Sequence, residues 1–75
     1  MVTAEIIINR IKQSLPSAEI KAHDLTGGGD HWQVVVRAKE FHGKNLVEQH
    51  QMIYKALGEM MKSDIHALAL DTKES

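Results

Sequence analysis

The spacing of apolar residues changes character at Pro16, and this change calls for a fold that mixes helix and strand. Before it, Ala4, Ile7 or Ile8, Ile11 and Leu15 recur at helical intervals, which predicts a helix over 3–15. Thr3 can cap that helix by accepting a backbone N–H, and Glu5 sits in the first turn, where the helix dipole favours a carboxylate. Pro16 has no N–H to donate and biases Leu15 away from helical geometry, so the helix stops. The triplet Ile6-Ile7-Ile8 is wider than one stripe, and part of it is expected to line an interface or a second face. After Pro16 the period is two. Ala18, Ile20 and Ala22 alternate with Glu19, Lys21 and His23, as in a half-buried strand. Thr26-Gly27-Gly28-Gly29-Asp30 then supplies a turn with little steric resistance to positive φ. Beyond it, Trp32, Val34, Val36 and Ala38 alternate with His31, Gln33, Val35 and Arg37, so the two runs predict an antiparallel hairpin.

Phe41-His42-Gly43-Lys44 breaks the pattern, and helical spacing resumes with Leu46, His50, Ile53, Leu57 and Met60 or Met61. Asn45 is placed to cap this long helix, with Glu48 in the capping-box position. Ile65 to Thr72 reads as a last strand that is apolar on both faces, as expected of a strand covered on both sides or set next to a partner. A strand–helix–strand connection of this length normally crosses right-handed, which sets the third strand parallel to the second. The expected architecture is α+β, in the order αββαβ, with a three-stranded mixed sheet and helices packed on it. No repeat or linker divides the chain, so residues 1–75 read as one domain.

A chain of 75 residues can bury one modest core. Little room remains for a drug-sized pocket, which argues against a self-contained enzyme. Nine Lys and Arg face ten Asp and Glu, for a net charge of −1, so binding to DNA or a membrane surface by bulk charge is disfavoured. The sequence has no cysteine, which excludes disulfides, a thiol nucleophile and an iron–sulfur cluster held by the chain's own thiolates. With no long apolar run and no signal-peptide pattern, the expectation is a soluble, cytoplasmic protein without membrane contact. Five histidines stand out, and any special chemistry is therefore imidazole chemistry.

The histidines differ in promise. His50 lies on the apolar stripe of the long helix and reads as a core histidine bonded to a backbone carbonyl. His42, in the break, reads as solvated, and His23 shares the polar face of the first strand with Lys21. His66 opens the last strand and His31 closes the glycine-rich turn, and binding residues concentrate at such positions. Their spacing matches no H-x-x-x-H or HExxH metal motif. The triple glycine precedes a strand rather than a helix, so it reads as a hairpin turn and not as a phosphate loop. Arg37, Lys39 and Lys44 gather around the break, either as a solvated rim or as phosphate contacts.

Taken in order, several segments resemble the BolA family. Phe41-His42-Gly43-Lys44 is similar to its F-x-G-K motif, and Val47 to Tyr54 to its v-x-x-H-x-x-v-y motif. Ile65-His66-Ala67-Leu68 is similar to i-H-A-l, and Gly29-Asp30-His31-Trp32 to the family's loop and His-aromatic pair. The resemblance runs from about Ile6 to Thr72. Many members continue with a T-P-x-x-W tail, whose contribution is not expected of these residues. The resemblance implies a class II KH-like fold, with Phe41, Gly43 and His50 in structural roles. It also implies a monothiol glutaredoxin as partner, and a [2Fe-2S] cluster shared with that partner and glutathione in iron–sulfur assembly, trafficking or iron regulation. By resemblance His66 is one cluster ligand. The second is a Cys or His of the hairpin loop, and glycine stands here where relatives carry it. Either His31 or His23 substitutes, or the site is incomplete. A chain without thiolates can still offer imidazoles to one iron while others supply sulfur, as in centres where two His replace two Cys. Such ligation is pH-sensitive, because the donor nitrogen must be deprotonated.

Two other readings compete. Some BolA-like proteins regulate transcription, and a KH-like fold can bind nucleic acid, with Arg37, Lys39 and Lys44 as phosphate contacts. However, Gly27-Gly28-Gly29-Asp30 lacks the last glycine of a G-x-x-G clamp. The third is a metal-free adaptor that docks a partner through the last strand and the helix surface, and a second copy of the chain is a further candidate partner.

Overall fold

The computed structural model describes residues 2–75. The chain runs α1 (Ala4–Ser14), β1 (Glu19–Asp24), β2 (His31–Ala38), a 3-10 turn (Lys39–Phe41), α2 (Leu46–Leu57), a helical turn α3 (Met60–Ser63) and β3 (Ala67–Glu74). Both expected helix starts are present. Thr3 Oγ1 accepts from Ile6 N at 3.2 Å. Asn45 Oδ1 accepts from Glu48 N at 2.9 Å, and Glu48 Oε1 accepts from Asn45 N at 3.0 Å, which completes a capping box.

The sheet has the order β1-β2-β3, with β2 antiparallel to β1 and parallel to β3. This is the mixed α+β sheet the sequence predicts. Trp32, Val34, Val36 and Ala38 face the helices and join Ile7, Ile11, Phe41, Ile53 and Leu57 in the core. Each Val, Ile, Leu or Phe among them contributes roughly 1.5–3 kcal/mol when fully buried. The isoleucine triplet divides by depth: Ile7 is buried, Ile8 half-buried and Ile6 exposed. Phe41 fills the core as a structural residue, and Gly43 turns the chain at φ +76°, a conformation in which other residues are strained.

Three expectations need correction. His50 is not a core histidine: it is half-buried, and its ring has no hydrogen bond to another described residue. The buried stripe of α2 is Gln49, Ile53 and Leu57, and Leu46 is 56% exposed. The contact face is rotated toward the half-buried Met52 and Ala56, which puts His50 on the opposite rim. Buried Gln49 is satisfied on one side only: its Nε2 donates to the Lys44 carbonyl at 3.0 Å, while its Oε1 has no hydrogen-bond partner among the described residues.

The second correction concerns helix length. α2 ends at Leu57 because Gly58 adopts φ +54°, and the chain re-enters helix only for Met60–Ser63. The third concerns β3, which begins at Ala67 rather than Ile65. The N–H of buried Ile65 is taken by the Met60 carbonyl at 2.8 Å, so this residue closes α3 instead of pairing in the sheet. β3 is an edge strand covered on one face: Leu68, Leu70 and Thr72 turn inward, while Ala67 and Ala69 are exposed. Among the described residues, no helix is long and apolar enough to cross a membrane.

Candidate functional site

The β1–β2 connection is rich in glycine yet held at both ends by carboxylates. Asp24, the last residue of β1, accepts from Thr26 N at 3.3 Å and Gly27 N at 3.0 Å through Oδ1, and from Gly29 N at 2.9 Å through Oδ2. An Asp bonding to the backbone ahead of it is the usual way such a turn is fixed. Thr26 Oγ1 accepts from Gly28 N at 3.2 Å and donates to Asp30 Oδ1 at 3.4 Å. The indole of buried Trp32 donates from Nε1 to the Gly29 carbonyl at 2.9 Å, which ties the loop to the core.

Topology then brings two histidines together. Neighbouring parallel strands begin at the same end of a sheet, so the residues that open β2 and β3 become neighbours. His31 is in register with Ala67, and His66 immediately precedes it. The Asp30 carbonyl accepts from His66 N at 2.7 Å and from Ala67 N at 3.2 Å, fixing the entry to β3 against the loop. The ring centroids of His31 and His66 lie 5.2 Å apart, with the planes tilted by 59°. His66 is exposed and His31 half-buried.

His31 Nδ1 lies 3.0 Å from Asp30 Oδ1. This hydrogen bond, ahead of the smaller charge attraction, holds the Asp30 carboxyl below its ordinary value of 3.8, against the opposing effect of burial. The carboxylate thus engages one nitrogen of His31 and leaves Nε2 available. A histidine ligand whose other nitrogen is held by a carboxylate is a recurrent metal-site arrangement.

The other candidates lie elsewhere. His23 projects from the exposed face of β1 opposite Gln33 and makes no ring contact with the pair. His42 Nδ1 meets Glu74 Oε2 at 2.7 Å, an exposed contact across the far end of the sheet. Arg37, Lys39 and Lys44 are exposed near that far end, Arg37 being six residues along β2 from His31, or roughly 20 Å at 3.3 Å per residue. Among the described residues, no three His, Cys, Asp or Glu side chains group closely enough to hold a metal ion. The two imidazoles therefore make a pair of donors and not a complete coordination sphere.

In the sequence Asp30 is legible only as part of the turn, and nothing there singles out Asp24 or Leu25 as site residues. The two acids flanking a glycine run are a legible turn signal, whereas their partners depend on the path of the loop. Leu25, 59% exposed, donates its N–H to the His31 carbonyl at 2.8 Å.

A family model described as BolA-like protein matches residues 4–75. The chain belongs to the BolA-like family. This BolA-like chain is 32% identical over 71 residues to the protein RP812 of Rickettsia prowazekii (strain Madrid E), a match that covers 95% of this chain and 92% of the relative. Its structure resembles that of a bolA protein homologue from Coxiella burnetii, with a TM-score of 0.82 and 36% identity, covering 99% of this chain and 92% of the other. The DNA-binding transcriptional regulator BolA of Escherichia coli (strain K12) is 37% identical over 51 residues, which cover 67% of this BolA-like chain and 49% of the regulator.

Proposed function

We propose that this chain is a non-enzymatic partner protein that lends His31 and His66 to a [2Fe-2S] cluster carried by a monothiol glutaredoxin and glutathione. The cargo would then be assembled, moved or sensed by the pair of proteins together. The observation that carries this reading is the pair of imidazoles with centroids 5.2 Å apart on two segments joined through Asp30. The donor set fits the group: two nitrogens and no thiolate suit one iron of a cluster whose sulfur ligands come from others. When bound, the cluster supplies the iron that accepts the two nitrogen lone pairs. The chain's own residues do the rest. Asp24 and Trp32 hold the loop, Asp30 joins it to β3, and exposed His66 and Leu25 face an incoming protein. Geometry favours His31 over His23 as the second donor, because only His31 is paired with His66.

The test mixes the chain with cluster-loaded monothiol glutaredoxin and glutathione and follows the visible circular dichroism of the cluster. The unmodified chain changes the spectrum, His66→Ala and His31→Ala abolish the change, and His23→Ala retains it. An unaltered response from His66→Ala overturns the ligand assignment. Binding of apo glutaredoxin with no spectral change supports a metal-free adaptor instead.

A second reading, DNA binding, is favoured by the E. coli relative, whose name describes a DNA-binding regulator. Arg37, Lys39 and Lys44 would contact phosphates, at the end of the sheet away from the histidine pair. Titration with duplex DNA at two salt concentrations decides it: affinity that falls steeply with salt supports phosphate contacts. No binding at low salt eliminates them.

A further inference from the structure

We propose that Asp30 is the positioning residue of the histidine pair: its carboxylate selects the Nδ1–H tautomer of His31 and presents Nε2 as the donor atom, while its carbonyl anchors the backbone of His66. This rests on the reading of His31 and His66 as ligands and assigns the coordinating atom that the reading leaves open. A neutral imidazole carries one N–H, and the nitrogen without it is the one that can bind a metal. An ionised carboxylate only accepts hydrogen bonds, so with Oδ1 at 3.0 Å from Nδ1 the proton of neutral His31 belongs on Nδ1. Nε2 is left with its lone pair.

The carboxylate is itself held in place. Thr26 Oγ1 donates to the same Oδ1 at 3.4 Å. The loop also packs closely over it: a Cβ added at Gly28 would lie 3.1 Å from Asp30 Oδ1 and 3.4 Å from Thr26 Oγ1. On the main-chain side, the Trp32 indole fixes the Gly29 carbonyl immediately before Asp30. The Asp30 carbonyl then takes the N–H groups of both His66 and Ala67. One residue therefore sets the tautomer of one ring and the backbone position of the other. Orienting partners of this kind change metal affinity by about 10–100-fold when removed.

The first readout needs no cluster. Long-range proton–nitrogen NMR of the isolated chain at about pH 8, where an ordinary imidazole is neutral, reports which nitrogen of each histidine carries hydrogen. His31 is expected as the Nδ1–H tautomer in the unmodified chain and in Asp30→Asn, whose side-chain oxygen still accepts. In Asp30→Ala it shifts toward Nε2–H, while the Trp32 indole signal stays in its folded position because the main-chain bonds remain. An Nε2–H tautomer in the unmodified chain overturns the proposal, as does an Asp30→Ala tautomer identical to it. If Asp30→Ala fails to fold, the unmodified chain and Asp30→Asn decide the question.

The second readout is affinity for [2Fe-2S]-loaded monothiol glutaredoxin with glutathione. Asp30→Ala is expected to weaken it about 10–100-fold, with substantial recovery in Asp30→Asn, and an unchanged affinity in Asp30→Ala overturns the positioning role. The two readings fail separately. Normal cluster binding by His31→Ala defeats the ligand assignment, whereas the tautomer measurement on the apo chain bears on Asp30 alone.

Discussion

Trp32 shows how one side chain can order a segment whose composition favours disorder. Its ring was legible as core from the two-residue period, because that period depends only on which face of the strand a residue occupies. Its N–H partner was not legible, since the bond to Gly29 depends on the path of the loop. Trp32→Phe keeps an aromatic ring in the core but leaves the buried Gly29 carbonyl without its donor. We expect a loss of about 2 kcal/mol, measured by urea unfolding, together with faster amide exchange across Thr26–Asp30. For 75 residues, a total stability of roughly 4–11 kcal/mol is expected, at 0.05–0.15 kcal/mol per residue, so the loss is a large share. Unchanged stability and exchange would show that the loop does not depend on the indole.

At the scale of elements, local signals were readable and rotational phase was not. Thr3 and Asn45 cap their helices through bonds to residues three positions away, and such spacing is visible in any sequence. The buried stripe of α2 depends instead on where α1 and β3 lie. Leu46, His50, Ile53 and Leu57 form as regular a helical series as Gln49, Ile53 and Leu57, and packing against partners selected the second. The start of β3 is not legible for a related reason: apolar Ile65 resembles a strand residue, but its N–H is already taken by the Met60 carbonyl. The capping box gives a direct test. Asn45→Ala should cost about 1 kcal/mol. In a domain of 60–100 residues that lowers the melting temperature by about 4–8 °C. No shift in melting temperature would mean that α2 is held by packing alone.

For the whole molecule, the parallel pairing of β2 and β3 makes the site. It was legible from the length of the strand–helix–strand connection, and it places the openings of both strands at one end of the sheet. The distance between His31 and His66 was not legible, because it depends on register and on the bond between Asp30 and His66. Exposed His66 and half-buried His31 sit together at one end of the sheet, and no third ligand group closes around them among the described residues. Under the proposed function, the remaining ligands of the metal centre come from the partner and glutathione. The cations Arg37, Lys39 and Lys44 lie away from the histidine pair, so the proposed function predicts that removing them leaves the response of a glutaredoxin-bound cluster unchanged. The most direct measurement labels this chain alone with 15N, mixes it with unlabelled cluster-loaded monothiol glutaredoxin and glutathione, reduces the cluster and records pulsed electron paramagnetic resonance. Couplings from two 15N nuclei are predicted, one disappearing in His66→Ala and the other in His31→Ala. A spectrum with no 15N coupling from this chain would contradict the claim that it lends nitrogen to a shared cluster.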